Sequence, residues 1–312
     1  MKYRRLGKSG LEVSVIGVGT YQFGGEWGKD FTRREAEAIL DAAADCGINL
    51  IDTAECYGNH LAEQFVGHYI HDKRSKWILA TKFGHQFHGF QNRSRRWRPE
   101  EVRRQIEDSL QALRTDYIDI LQYHSPSEQE LATPGLKELL ELEVRAGKIR
   151  HLGISLSSSC CRAAGCGQVE KAPELNVQVM QILYNRLERN PEERILPLCR
   201  ELDLGVITRV PLASGLLSGK YRSGCRFPEN DVRAHRQPTE VEEMLREVER
   251  IRREDLPEGM FLSSWALAWC LKHPAVSCVI PGCKSVQQVV QNAQTAQFIE
   301  LTHPQDIPYN HD

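Results

Sequence analysis

Asn49-Leu50-Ile51-Asp52-Thr53-Ala54-Glu55-Cys56-Tyr57-Gly58 is the stretch on which the fold turns. The apolar run 48–51 is broken only by Asn49 and stops at Asp52, and Thr53, Gly58 and Asn59 are turn formers. The run therefore reads as a buried strand handing over to a loop. A carboxylate at the end of a buried strand is costly unless it is paired, so Asp52 needs a cation. The next apolar run, 77–81, ends in Lys82, and the run 117–123 ends in His124. An acid, a phenol five residues on, an amine and an imidazole thus fall at the ends of three consecutive strands.

Working outward, strand-like runs alternate with helix-like runs, the pattern of a parallel sheet with crossover helices. Strands are expected at 13–19, 48–51, 77–81, 117–123, 149–154, 177–182, 206–210 and 276–280. Helices are expected at 32–46, 60–71, 99–113, 135–146, 160–170, 192–202, 239–253, 258–272 and 286–296. Thr32 with Glu35 three residues later makes a capping box, and Gly47 follows the first helix as a C′ glycine. Residues 83–98 read as a loop rich in Gly, His and Arg, and 223–238 as a long functional loop. Eight strand–helix units close into a (β/α)₈ TIM barrel, expected here as one domain over 1–312. An open doubly wound sheet is the competitor. Gly17-Val18-Gly19-Thr20-Tyr21-Gln22 offers two of the three glycines of its phosphate turn and no helix directly after.

The 312 residues carry 40 basic against 42 acidic side chains, a net charge of −2, which argues against nucleic-acid or membrane-surface partners. No stretch approaches the roughly 20 apolar residues of a membrane span. The N-terminal Met1-Lys2-Tyr3-Arg4-Arg5-Leu6-Gly7 lacks an apolar signal core, so the expected location is cytoplasmic and the ten cysteines are expected to stay reduced. Cys160, Cys161 and Cys166 have no second half-site. His85 with His88, and His68 with His71, have no acidic or Cys partner placed with them in the sequence, so no metal is expected. Arg93, Arg95, Arg96 and Arg98 form a basic run that is either a solvated loop or an overhang admitting an anionic or polyhydroxy substrate, with Phe87 and Trp97 as its apolar wall.

Several of these residues recur together in a known family. Residues 47–54 with Tyr57-Gly58, Thr81-Lys82, Asp119 with His124-Ser125-Pro126, Gly153-Ile154-Ser155, Gln181 with Tyr184-Asn185, the Pro211-Leu212-Ala213-Ser214-Gly215-Leu216-Leu217-Ser218-Gly219-Lys220-Tyr221 run and Ile280-Pro281-Gly282 resemble the aldo-keto reductase superfamily. The 211–221 run is closer to its bacterial, potassium-channel-β-like branch. The resemblance implies a barrel binding NADPH across its C-terminal mouth, and reduction of an aldehyde, ketone or sugar carbonyl. Asp52, Tyr57, Lys82 and His124 would be its catalytic tetrad. Tyr57 is the neutral acid suited to protonate the oxygen as hydride arrives. Lys82⁺ is expected to lower the phenol's pKa, and Asp52 to hold Lys82.

The resemblance also implies cofactor contacts. Thr20 and Tyr21 match positions near the ribose, and Ser155 and Gln181 those holding the nicotinamide carboxamide. Leu212, Ser218, Gly219 and Lys220 match the pyrophosphate strap. Gly282, Lys284, Gln288, Gln291 and Asn292 match the phosphate and adenine end, where Lys284 and Ser285 at a helix N-terminus suit a 2′-phosphate and favour NADP(H). Gln288 and Gln291 stand where relatives carry Arg and Glu, which leaves NAD(H) open. Two more departures are Leu156, where an Asn is common, and Arg209, where an aromatic is common and a guanidinium plane would stack instead. The alternatives are an NAD-dependent sugar or polyol dehydrogenase and a non-catalytic, cofactor-sensing binding subunit. Substrate identity and oligomeric state are not encoded in any motif.

Overall fold

The computed structural model describes residues 1–163 and 167–299, so Cys166 lies outside the described residues. An antiparallel hairpin, β1 (Tyr3–Arg5) with β2 (Glu12–Ser14), precedes the sheet. Then come β3 (Val18–Gly19), β4 (Leu50–Asp52) and β5 (Ile78–Phe83), followed by a second antiparallel hairpin of β6 (His85–Gly89) and β7 (Asn92–Arg95). The sheet resumes with β8 (Ile118–His124), β9 (Ile149–Ser155), β10 (Val177–Leu183), β11 (Gly205–Arg209) and β12 (Val276–Val279). Strands β3, β4, β5, β8, β9, β10, β11 and β12 pair side by side in that order, all parallel. The ends meet: Gly17 N–H donates to Val279 O at 2.8 Å and Val279 N–H to Val15 O at 3.0 Å, closing a (β/α)₈ barrel. Among the described residues no helix is long and apolar enough to cross a membrane.

Helices fill the crossovers because their sequences carry one apolar stripe and good caps. In Arg33–Asp45, Ala36, Ile39, Leu40 and Ala43 are buried, and Thr32 and Glu35 exchange the two bonds of the capping box. This stripe joins an outer core between sheet and helices. A second, inner core fills the barrel itself. Leu50, Ala80, Ile120, Val179, Ile207 and Cys278, from six strands, meet Leu6 and Val13 of the N-terminal hairpin. That hairpin plugs the barrel's lower end, which is why the expected strand 13–19 divides. Val13 is spent on the plug, and only Val18 and Gly19 pair with β4.

Other expectations shift for local reasons. The expected loop 83–98 contains the β6–β7 hairpin, whose alternation is hidden because its side chains are mostly polar. The expected helix 160–170 holds two short helices, Ser158–Arg162 and Gly167–Glu170. The long stretch 223–238 is tied down: Gly28 N–H donates to Asn230 O at 3.1 Å and Val232 N–H to Glu26 O at 3.0 Å.

Candidate active site

Side chains alternate along a strand, so the residue two places beyond an inner-core residue also faces the barrel axis, one layer nearer the C-terminal mouth. Leu50 is thus followed by Asp52, Ala80 by Lys82, Ile120 by Gln122 and then His124, Val179 by Gln181 and Ile207 by Arg209. Gly153, where a Cβ would lie 2.9 Å from Gln122 Cγ, is followed by Ser155. On these six neighbouring strands, β4, β5, β8, β9, β10 and β11, the axis-facing row turns polar towards the mouth, whereas Cys278 is followed by the apolar Ile280.

These groups close on one another. Lys82 Nζ donates to Asp52 Oδ2 at 2.7 Å, to Thr53 O at 2.7 Å and to Tyr57 Oη at 3.4 Å. Lys82 is 1% and Asp52 3% exposed, so the pair sits under the mouth rather than in it. The other Asp52 oxygen accepts from Gln122 Nε2 at 3.1 Å and Gln181 Nε2 at 2.6 Å, and Ser155 Oγ donates to Gln181 Oε1 at 3.1 Å. Both oxygens of this buried carboxylate meet donors, one of them charged, which offsets its desolvation. Gln122 is a participant that the sequence reading missed. Its signal was available, two places before His124 on the same strand face.

Tyr57 is held from several sides. Its ring stacks on Tyr21 at 4.6 Å between centroids and meets His124 edge-on at 6.1 Å. Its backbone is pressed against Gly24, where an added Cβ would sit 2.7 Å from Tyr57 C and 2.8 Å from Gly58 N. Gly58, at φ +66, is closed in return by Gly24 O at 2.8 Å, so both positions need glycine. The phenol's acidity departs from expectation. Burial first, then the Asp52 carboxylate, hold its pKa well above the ordinary value instead of below it. Tyr57 is therefore a neutral O–H donor. His124 is pushed well below the usual imidazole range by burial and then by Lys82, so it too is neutral. Its Nδ1 lies 3.6 Å from Cys56 Sγ and 3.7 Å from Glu55 Oε1.

A cavity of about 690 Å³ opens above these groups. Asp52, Tyr57 and His124 line one end; Lys82 lies behind them. Thr20, Tyr21, Ser155, Gln181, Arg209, Leu212, Ser218, Lys220, Gly282, Lys284, Gln288, Gln291 and Asn292 line the rest, while Gly219 is outside the lining. At the far end, Lys284 Nζ donates to Trp27 O and Lys284 N–H to Gln288 Oε1 at 2.8 Å, where the helix Val286–Gln294 begins. Ser285 caps that helix by accepting from Gln288 N–H at 3.3 Å. Gln291 donates to Ser263 Oγ at 3.0 Å, and Asn292 to Cys283 Sγ at 3.2 Å. The two departures at Arg209 and Leu156 touch: Arg209 Nη2 donates to Leu156 O and Ser158 Oγ, both at 3.1 Å. The Leu156 side chain itself is buried in the outer core.

Two sequence expectations are corrected. The basic run is not a free cationic overhang, because each arginine has an acid: Arg93 pairs with Glu26, Arg95 with Glu130, and Arg96 and Arg98 with Glu101. Trp97 is not a mouth wall. It is 7% exposed and packs on Phe83 and Tyr123, while Phe87 lines a second cavity on the other side of His85. The absence of acidic or Cys partners for His85 also fails in three dimensions. Glu55 and Cys56 from the loop after β4 come to it and to His124, with one ligand atom from each within 4.8 Å of the others.

A sequence profile of the Aldo/keto reductase family matches residues 15–306. A protein of Oryza sativa subsp. japonica, named a probable voltage-gated potassium channel subunit beta, is 32% identical over 325 residues, covering 98% of this chain and 94% of its own. Among solved structures, the holo form of an aldo-keto reductase from Bacillus halodurans is 33% identical with a TM-score of 0.77, covering 95% of this chain and 91% of its own. A glycerol dehydrogenase from Gluconobacter oxydans is 29% identical with a TM-score of 0.75, covering 91% and 87%.

Proposed function

The chain belongs to the aldo/keto reductase family, and from that premise we propose that it is an NADP(H)-dependent reductase of an aldehyde, ketone or sugar carbonyl, with Tyr57 as general acid. The observation that carries the reading is the shared cavity: Tyr57, 3.4 Å from Lys82, stands at one end and Lys284 at the other. A reduced nicotinamide would supply hydride to the carbonyl carbon. This chain's residues do the rest. Tyr57 gives its proton to the oxygen as charge develops there. The tyrosinate formed is stabilised by Lys82, which Asp52 and Thr53 O keep in place. With Nδ1 turned toward Cys56 and Glu55, His124 has Nε2 left to donate to the same oxygen. Tyr57 then regains a proton from water, and an alcohol leaves.

Thr20, Tyr21, Ser155, Gln181, Arg209, Leu212, Ser218, Gly219, Lys220, Gly282, Lys284, Gln288, Gln291 and Asn292 would hold the cofactor along the cavity. Lys220, Arg233 and Lys284 gather at the phosphate end, where burial and then Arg233 and Lys220 lower the Lys284 pKa against an opposing pull from Asp231. A dianionic phosphate relieves that crowding. Lys284→Ala is therefore expected to raise KM for NADPH by about tenfold or more, the loss of one charge-assisted contact, with little change in KM for NADH. Equal effects on both cofactors in steady-state kinetics would remove the 2′-phosphate assignment. Gln288, uncharged and engaged by Lys284 N–H, favours the second reading, an NAD-dependent sugar or polyol dehydrogenase. Reduced-nicotinamide absorbance, followed in both directions with both cofactors on a panel including sugars and anionic aldehydes, separates the two. Binding of NADPH without turnover on any carbonyl would sink the reductase reading.

A further inference from the structure

Beside the hydride-transfer site lies a group that the mechanism uses only in part. Glu55 and Cys56 lie in the loop after β4, His85 opens β6, and His124 ends β8. Cys56 Sγ is 3.6 Å from His124 Nδ1, and Glu55 Oε1 is 3.7 Å from it. The four ligand atoms all lie within 4.8 Å of one another. Tetrahedral coordination with bonds of roughly 2.0–2.3 Å puts neighbouring ligand atoms about 3.3–3.7 Å apart. The two measured edges fall in that range, and the His85 ring has to turn out of its stack on His124 to bring a nitrogen onto the same ion.

A second observation points the same way. Glu55 is 3% exposed, and its Oε2 is buried with no hydrogen-bond partner; His85 Nδ1 is likewise buried and unpartnered. Buried polar groups without a protein partner are few in native structures, and a bound ion is one account of them. Hydrogen bonds hold the His85 backbone beside Glu55. His85 stacks on His124 at 4.5 Å, its N–H donates to Glu55 Oε1 at 3.0 Å, and its carbonyl accepts from Gln105 Nε2 at 2.6 Å. Access exists from two sides, since His85 lines both the main cavity and the second one, which Glu55 also lines.

We propose that Glu55, Cys56, His85 and His124 form a binding site for a divalent cation of the zinc class. One sulfur, two imidazoles and one carboxylate suit a borderline-soft ion rather than magnesium or calcium. Cys56 binds as thiolate, releasing its proton to solvent, and Glu55 binds as carboxylate. Their two charges cancel the ion's, so the filled site presents no net charge to the cations around it, Lys82, Arg93, Arg95 and Arg209. With the ion on Nδ1, His124 is fixed as the Nε2–H tautomer. That consequence rests on the reductase reading; the binding does not.

Cobalt(II) is the probe. Addition of one equivalent to the metal-free full chain is expected to give a sulfur-to-cobalt charge-transfer band in the near ultraviolet and tetrahedral visible bands, both displaced by zinc. Cys56→Ser is expected to lose the charge-transfer band, and His85→Gln to weaken cobalt binding at least about 100-fold, more than the loss of an outer-sphere partner costs. Circular dichroism reports whether each variant is folded. No charge-transfer band in the unsubstituted chain, or the same band in folded Cys56→Ser, overturns the proposal. Neither readout depends on turnover, so a failed carbonyl screen leaves it standing.

Discussion

Tyr57→Phe is expected to lower kcat by about 10²–10⁴-fold, the range of a lost general acid, while cofactor affinity stays near that of the unsubstituted chain. The single atom removed is the one that Lys82 approaches at 3.4 Å. The ring that stacks on Tyr21 and the backbone pinned between Gly24 and Gly58 remain. Cofactor binding is followed by quenching of tryptophan fluorescence, with Trp27 in the cavity wall as a reporter. Turnover within a few-fold of the parent would mean that another group delivers the proton and that Tyr57 is only part of the wall.

The second large effect is on stability. Lys82→Met leaves Asp52 buried at 3% exposure with two neutral amide donors and no counter-charge. Removing one partner of such a pair costs about 3–5 kcal/mol. The urea midpoint should fall accordingly with an unchanged slope. Adding Asp52→Asn to the same chain should recover much of the loss, because the stranded charge is then gone, and the double-mutant cycle isolates the pair. Activity should stay low in both. An unshifted midpoint for Lys82→Met would show that Gln122 and Gln181 alone carry the carboxylate.

Asp52, Lys82 and His124 were legible in the sequence because each ends an apolar strand, where a polar residue two places beyond a core position must face the barrel axis. The barrel was legible because apolar strand-like runs recur eight times with helix-like runs between them. Gln181 was reached through family resemblance, and Gln122 was missed although it obeys the same rule. An uncharged side chain inside a strand draws no notice until its partner is known. The phenol's raised pKa was not readable, because it depends on how deeply the folded chain buries the ring and how near it brings the Asp52 carboxylate. The acids that neutralise Arg93, Arg95, Arg96 and Arg98 come from as far away as Glu26 and Glu130. Separation in sequence equally hid the meeting of Glu55 and Cys56 with His85. The β6–β7 hairpin escaped because polar residues on both faces carry no hydropathy alternation.

The depth of Lys82 has a consequence for how the protein responds to its medium. At 1% exposure its ammonium is out of reach of mobile ions, whereas Lys220 and Lys284 stand at the rim of an open cavity. Ionic atmosphere shields charges that water can reach, over about 8–10 Å at ordinary strength, and shields buried ones much less. Added potassium chloride should therefore raise KM for a phosphate-bearing cofactor and leave the kcat of the saturated protein nearly flat.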